Sequence, residues 1–402
     1  MKRSRIICVH IGARAHYLLP KAIHASGQLH AMITDTWIKS DLFRYLLAVS
    51  PIRSLRALAG RYTETLVTSS VYSLGLNFLL YDFYLRLTYA YSWSLIISRD
   101  KKFKKAAAAK LYRIKDATSV FAISYTALDS FKVARERKLK TILYQVDPGL
   151  EEENMVRKLV ESTNLQTDWQ PAPATYWEEC REEHNLSDVI IVNSQWSKNG
   201  LISQEVFAEK IKIIPLPFEI QPQHNQFERL YPSAFTKERP MRCLFLGTLT
   251  LRKGIHIVID AARNMQGLPI EFILVGRSEI ELQEIDLSNI TYAGIVTRDE
   301  TDRYYKESDI FLFPTFSDGF GLTQLEAMAW KLPVVATKQC GEVVTHEHDG
   351  WILNNITTES LVVLLSNIIE RPEQIKYCSE NCLSKVEKFN LEKFTEDIAA
   401  II

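Results

Sequence analysis

The stretch that most constrains this chain is Asp318-Gly-Phe-Gly-Leu-Thr-Gln-Leu-Glu326. It follows Asp309-Ile-Phe-Leu-Phe-Pro314, a short apolar run bounded by proline that predicts a buried parallel strand. It precedes Glu326-Ala-Met-Ala-Trp-Lys331, of helical composition, and Leu332-Pro-Val-Val-Ala336, a further buried strand. A strand-to-helix turn of an α/β unit is therefore expected. Gly319 and Gly321 let backbone approach a ligand, and the amides of Leu322 and Thr323 face outward at a helix N-terminus. That end carries partial positive charge and unpaired donors, which suits phosphate. Carboxylates repel phosphate but accept hydrogen bonds from hydroxyls. With Asp318 and Glu326 flanking the turn, a ligand bearing both phosphate and sugar fits the chemistry.

The same residues resemble the acid-x7-acid signature of retaining, nucleotide-sugar-dependent glycosyltransferases of family 4, usually written Glu-Gly-Phe-Gly-x-x-x-x-Glu. The Gly-Phe-Gly centre, the spacing and the following Ala-Met-Ala match; the first acid is Asp318 rather than Glu. The resemblance implies an α/β, GT-B fold, with two Rossmann-like domains facing each other across a cleft. The plain alternative for the turn is a Gly-rich connection with a helix-N-terminal Glu.

The 402 residues suffice for two domains, and a 47% hydrophobic content supports sizeable cores. A formal net charge of zero argues against a broad basic field for nucleic acid. Of the six scattered cysteines, Cys378 and Cys382 have three residues between them but no second ligand pair lies nearby, so no metal site is expected and reduced thiols are. The apolar run after the basic start is too short for a signal peptide, and no transmembrane span is expected. A cytoplasmic protein, with peripheral contact at the inner membrane face as an option, fits these features.

Arg5–His10 reads as a first buried strand, Ile11–His16 as a turn around Gly12, Tyr17–Ser26 as a helix and Met32–Thr34 as a second strand. By resemblance, Gly12 faces the donor diphosphate and the acceptor; His16 is a polar contact or a surface histidine. Residues 38–115 are rich in aromatics, including Tyr72, Phe78, Tyr81, Phe83, Tyr84, Tyr89, Tyr91 and Trp93, with a basic flank at Arg99–Lys105. Two readings stand: helices packed on the first domain with lysines on their solvated face, or an amphipathic surface resting on anionic lipid. Strands are expected at Ser119–Ser124 and Thr141–Val146. The second ends at Asp147-Pro-Gly149, either a contact for acceptor or sugar, or an Asx-Pro turn. The histidine that relatives carry near that point is missing. Glu151–Glu183 reads as acidic and helical, Asp188–Ser194 as a strand, and Ile211–Pro217 as the last strand of this half.

Five prolines between Pro215 and Pro240 suggest a linker. The expected division is 1–218 for an acceptor-binding domain, 219–240 for the linker and 241–390 for the nucleotide-sugar domain, with the helix at 391–402 packing back on the first. Met241–Gly247 begins the second domain, and its turn runs Gly247-Thr-Leu-Thr-Leu-Arg-Lys-Gly254. The family's turn often reads Gly-Arg-Leu-x-x-x-Lys-Gly; Thr248 stands where arginine is usual, with Arg252 beside Lys253. Two cations at such a turn suit a diphosphate. Phe272–Gly276 and Ile290–Val296 continue the sheet and resemble the base-binding edge.

The resemblance thus implies transfer of a sugar, with retention, from a nucleotide-diphosphate donor to an acceptor hydroxyl on a glycan or lipid-linked acceptor, in polysaccharide, glycan or glycolipid synthesis. Asp318, Lys253, Arg252 and Asp147 are the candidate catalytic residues. Gly12, Gly247, Thr248, Gly319, Phe320, Gly321, Leu322, Thr323 and Glu326 are the candidates for donor binding. Neither cofactor nor metal is expected. A catalytically idle binding relative, or a sugar-nucleotide epimerase or phosphorylase-like enzyme, would share the same halves.

Overall fold

The computed structural model describes residues 4–50, 53–89, 92–163, 167–281 and 287–402; Tyr91 of the aromatic stretch lies outside them. Apolar runs of four to six residues separated by helices should give parallel sheets covered on both faces, and two such sheets form. The first contains β1 (Ile6–His10), β2 (Leu29–Thr34), β3 (Ser70–Ser73), β4 (Ser119–Ile123), β5 (Lys140–Tyr144), β6 (Val189–Val192) and β7 (Ile211–Ile213). Their order is β3-β2-β1-β4-β5-β6-β7, all parallel. The second contains β8 (Met241–Leu246), β9 (Ile270–Val275), β10 (Ile290–Gly294), β11 (Ile310–Phe313), β12 (Val334–Ala336) and β13 (Gly350–Ile352), in the order β10-β9-β8-β11-β12-β13. In both, the strand order reverses beside the first strand, which opens a crevice at the carboxyl ends.

The first sheet is covered by α1 (Leu18–Ala25), α2 (Asp41–Ala48), α3 (Arg53–Ala59), α4 (Leu76–Thr88), α5 (Trp93–Arg113), α6 (Leu128–Glu136), α7 (Leu150–Ser162), α8 (Ala174–Leu186) and α9 (Gln195–Ile202). The rest of the chain adds α10 (Pro222–Gln226), α11 (Ile255–Asn264), α12 (Arg298–Glu307), α13 (Leu322–Ala329), α14 (Thr358–Ile369), α15 (Pro372–Val386) and α16 (Leu391–Ile401). Phe394 and Ile398 of α16 are buried among Ile6, Cys8 and Ile23 of the first lobe. The chain's two passages between lobes lie side by side, where the Phe218 N–H donates to the Phe389 carbonyl at 2.7 Å. Two adjacent strands of backbone are suited to absorb a hinge rotation.

Several local expectations are corrected. The polar stretch Ser70–Ser73 forms an edge strand rather than part of a helix, because β2 offers it an open ladder. Lys104 is buried and paired with Glu179, so the α5 lysines do not all face solvent. The acidic helical stretch after Asp147 is two helices, the first ending at Ser162 and the second starting at Ala174 directly after Gln170-Pro-Ala-Pro173. The proline-rich stretch 219–240 is packed rather than loose: Phe235 enters the second core, and the Arg229 guanidinium donates to the Tyr305 and Trp330 carbonyls at 2.7 and 2.8 Å. All six cysteines are buried thiols. No helix among the described residues is long and apolar enough to cross a membrane.

Candidate active site

The turn after β11 is held by packing that leaves its ligand-facing atoms uncovered. Gly321 caps α13 in the left-handed conformation (φ 80°), and no side chain satisfies the helix's leading amides. Here glycine is required on two counts, since an added Cβ would also sit 2.6 Å from the Phe313 ring. The Asp318 carboxylate lies 3.8 Å from the Lys253 ammonium, which arrives from the turn after β8. A left-handed Gly254 (φ 75°) makes that turn, pressed so close to the Pro314 carbonyl that a Cβ would be 2.2 Å from its oxygen. Burial pulls Lys253 below the usual ammonium value, opposed by the adjacent Asp318.

These groups line a cavity of about 270 Å³ between the lobes, with Phe320, Gly321, Leu322 and Thr323 on one wall. The other wall comes from the first lobe and includes His10, Arg14, Val146 and Asn193. Glu326 faces an adjoining cavity of about 730 Å³, which shares Ala15, Leu18 and Leu322 with the first. There it accepts a hydrogen bond from the Tyr305 hydroxyl at 2.9 Å, and His16 stands among the first-lobe residues opposite. Asp318, Lys253 and Glu326 are thus brought to one continuous gap.

Other expected residues are placed elsewhere. The Gly12 amide is committed to Asp35 Oδ1 at 2.9 Å, and Gly12 lines a separate arginine-rich cavity rather than the one holding Asp318. Gly247 packs beside the Lys253 side chain, at 3.2 Å from its Nζ to a built Cβ. Thr248 and Arg252 line a third interlobe cavity, of about 390 Å³, with Asp147 and a set of aromatics that includes Tyr125 and Trp177. Arg252 lies 3.8 Å from the Asp318 carboxylate, as Lys253 does, while its guanidinium also donates to the Ser317 carbonyl at 2.5 Å and approaches Glu152 at 3.4 Å. Asp147 forms the Asx turn, accepting from the Gly149 amide at 2.9 Å, and also accepts from the Tyr125 hydroxyl and from Gln145.

Residue typing along the sequence passed over four members of the site. His10 ends β1 at the carboxyl edge, where a ligand-facing residue is expected; that position was its only signal. Burial pushes its imidazole down to about 4, so it is neutral. Nδ1 lies 2.9 Å from the Gly12 carbonyl oxygen and so carries the proton, leaving Nε2 an acceptor with no partner. Glu152 of α7 accepts from the Ser317 hydroxyl at 2.7 Å across the cleft; burial first, and Asp147 and Asp318 with it, push its carboxyl up to about 7 against the pull of Arg252. Trp196 Nε1 donates to Ser317 Oγ at 3.0 Å, another tie between lobes. Apart from the local His10–Gly12 contact, none of these pairings follows from spacing along the chain.

Two parallel-sheet Rossmann-like lobes with a cleft between them define the GT-B class of fold, and this chain has it. It superposes on a sucrose-phosphate synthase from Thermosynechococcus elongatus with a TM-score of 0.66 at 17% identity, covering 99% of this chain and 98% of that one. The complex of HepE from Anabaena with UDP-glucose gives 0.60 at 17% identity, with 99% and 98% covered. More particularly, residues 240–371 match the family model for glycosyl transferases group 1. Among curated relatives, the amylovoran biosynthesis glycosyltransferase AmsK of Erwinia amylovora is 26% identical over 234 residues, 54% of this chain and 56% of that protein. The capsular polysaccharide biosynthesis glycosyltransferase CapM of Staphylococcus aureus is 23% identical over 53% of this chain and 60% of its own length. The matches span little more than half the length of these curated relatives.

Proposed function

We propose that the protein is a glycosyltransferase of polysaccharide or glycolipid assembly. It would move a hexose, with retention, from a nucleotide-diphosphate sugar to an acceptor hydroxyl. The observation that carries this reading is the meeting of the Lys253 ammonium, the Asp318 carboxylate and the uncapped α13 N-terminus at one interlobe cavity. The departing diphosphate gains negative charge as the glycosidic bond breaks. A cation and aligned amides already fixed in a partly buried site stabilise that charge with little reorganisation. In this reading Lys253 and the Leu322 and Thr323 amides take the phosphates, and Asp318 and His10 Nε2 accept from sugar hydroxyls. Glu326 accepts from the ribose hydroxyls in the adjoining cavity. The positive charge comes from the chain itself, so neither metal nor further cofactor enters the scheme. Arg252, held by Glu152, serves to close the lobes rather than to clamp phosphate.

The names of the relatives, in amylovoran and capsular polysaccharide synthesis, support the pathway. The UDP and UDP-glucose of HepE support UDP as the donor carrier. Peripheral contact with an anionic membrane at the cytoplasmic face is proposed through α2 and α4, which expose Phe43, Tyr45, Leu80 and Phe83. The test is a thermal-shift panel of nucleotide sugars followed by donor hydrolysis or transfer with the ligand that raises the melting point. Lys253→Ala and Glu326→Ala should each abolish turnover while the protein stays folded, with Glu326→Ala weakening nucleotide binding as well. Turnover that survives both substitutions refutes this site.

A further inference from the structure

Helix α4 presents its sides in an unusual way. Leu76, Leu80, Phe83, Tyr84 and Leu87 are exposed, Leu76 by 67% and Leu87 by 72%, while its charged residues Asp82 and Arg86 border a cavity of the first lobe. Helix α2 adds Leu42, Phe43, Tyr45 and Leu46 to the exposed apolar surface. Folded chains rarely expose so many large apolar side chains on one helix unless something covers them.

The cavity measures about 250 Å³ and is lined by four arginines: Arg14, Arg61, Arg86 and Arg99. Three are neutralised. Arg61 pairs with Asp35 at 3.2 Å, Arg86 with Asp82 at 2.8 Å and Arg99 with Asp100 at 2.7 Å. Arg14 makes no hydrogen bond or ion pair among the described residues, so the cluster keeps one uncompensated positive charge. Two buried acceptors there also lack partners, Thr36 Oγ1 and Asp82 Oδ1. Orphaned polar atoms are costly, and these would be satisfied by a ligand that brings hydroxyls along with its negative charge. Arg14 also lines the cavity that holds Asp318 and Lys253, so a group bound at Arg14 sits at the edge of the proposed donor site.

We propose that this arginine cavity seats the phosphate of a lipid-linked sugar acceptor, whose hydrocarbon lies along the exposed faces of α4 and α2. The guanidinium of Arg14 takes the phosphate, as a planar charged donor is suited to do. The sugar's hydroxyls reach Asp82 and Thr36, and its reacting hydroxyl lies toward the donor cavity. Calling the ligand an acceptor rests on the transferase reading; the binding site itself does not.

The test uses the full chain and isothermal titration with three probes: farnesyl phosphate, farnesol and inorganic phosphate. Farnesyl phosphate is expected to bind at least tenfold more tightly than either of the others. Arg14→Gln should weaken it by about tenfold, the loss of one charge-assisted contact, and leave farnesol unchanged; Arg86→Gln should also weaken it, by leaving the Asp82 carboxylate unpaired beside the phosphate. Asp82→Asn should tighten it several-fold by removing a repelling carboxylate, a gain that misfolding does not imitate. Equal binding of farnesol and farnesyl phosphate, variants that change nothing, or a stable dimer in sedimentation that buries α2 and α4 would each overturn the proposal. Nucleotide sugars in the same titration separate the two readings. If they bind and farnesyl phosphate does not, this proposal alone falls. If farnesyl phosphate binds as expected and no nucleotide sugar does, the transferase reading falls and the lipid-phosphate site stands.

Discussion

Gly319→Ala tests the closed cleft more sharply than any charge substitution. Gly319 is buried, and its φ lies outside the left-handed region, so alanine can adopt the local backbone. What the new methyl meets belongs to the other lobe. Its Cβ would lie 2.0 Å from the Val146 carbonyl oxygen and 3.2 Å from Asn193 Nδ2. Ordinary contact begins near 3.4 Å, so the lobes must separate locally by more than an ångström. If they resisted, overpacking would cost about 1–3 kcal/mol. Because each lobe has its own core and the passages near Phe218 and Phe389 can rotate, the cost should fall on closure instead. A penalty of that size shifts a two-state equilibrium about 5–150-fold, and the proposed groups reach a donor from both walls. Donor turnover in Gly319→Ala is therefore expected to fall by one to two orders of magnitude, with a slightly larger radius of gyration by small-angle scattering and a melting temperature near that of the wild type. Gly254→Ala is the contrast. Its left-handed backbone and the Pro314 carbonyl at 2.2 Å lie within one lobe, so it should lower the melting temperature by several degrees. Wild-type turnover and scattering in Gly319→Ala would refute the claim that closure through this contact assembles the site.

Other expectations concern stability. Asp309 opens β11 with a bidentate pair to Arg239, 2.7 Å on each side, and accepts from the Arg242 amide at 2.8 Å. Its side chain is only 3% exposed, whereas that of Arg239 is 39% exposed, so Asp309→Ala strands the Arg242 amide and leaves Arg239 to water, and should cost about 1–3 kcal/mol by denaturant titration; no measurable loss would contradict it. Glu152 supplies a pH dependence. In the folded protein its carboxyl is pushed up to about 7, against about 4.3 unfolded. Between those values the folded state holds a proton that the unfolded chain releases, so this group's contribution to stability falls as pH rises through the window. Glu152→Gln should flatten that slope in melts between pH 4.5 and 7; an unchanged slope would show that Glu152 is not its source.

The chain's own order of residues determined the two sheets. Runs such as Ile6–His10, Ile310–Phe313 and Val334–Ala336 bury every residue, and continuous apolar runs of that length fit the middle of a parallel sheet. The glycine turn and both acids were legible for the same reason: the groups lie within one turn and a helix, so local spacing fixes their geometry. Ser70–Ser73 was not legible as a strand, since its place depends on the edge that β2 leaves open. The proline-rich stretch between the sheets is also packed, which composition does not show, because proline marks the absence of regular structure and not of packing; Arg229 and Phe235 find partners far along the chain.

Everything that joins the lobes was decided only in three dimensions. Arg252 stands beside Lys253 in the sequence and reaches Asp318 at 3.8 Å, but its ties to Glu152 and the Ser317 carbonyl, distant in sequence, appear only in the fold. His10 acquires its neutral ring and unpaired Nε2 from burial and from the Gly12 carbonyl, neither of which is a property of histidine itself. Sequence specifies which groups a short segment can offer. Burial and the partner across a gap decide their charge and direction, because desolvation and Coulomb terms depend on the whole surrounding structure.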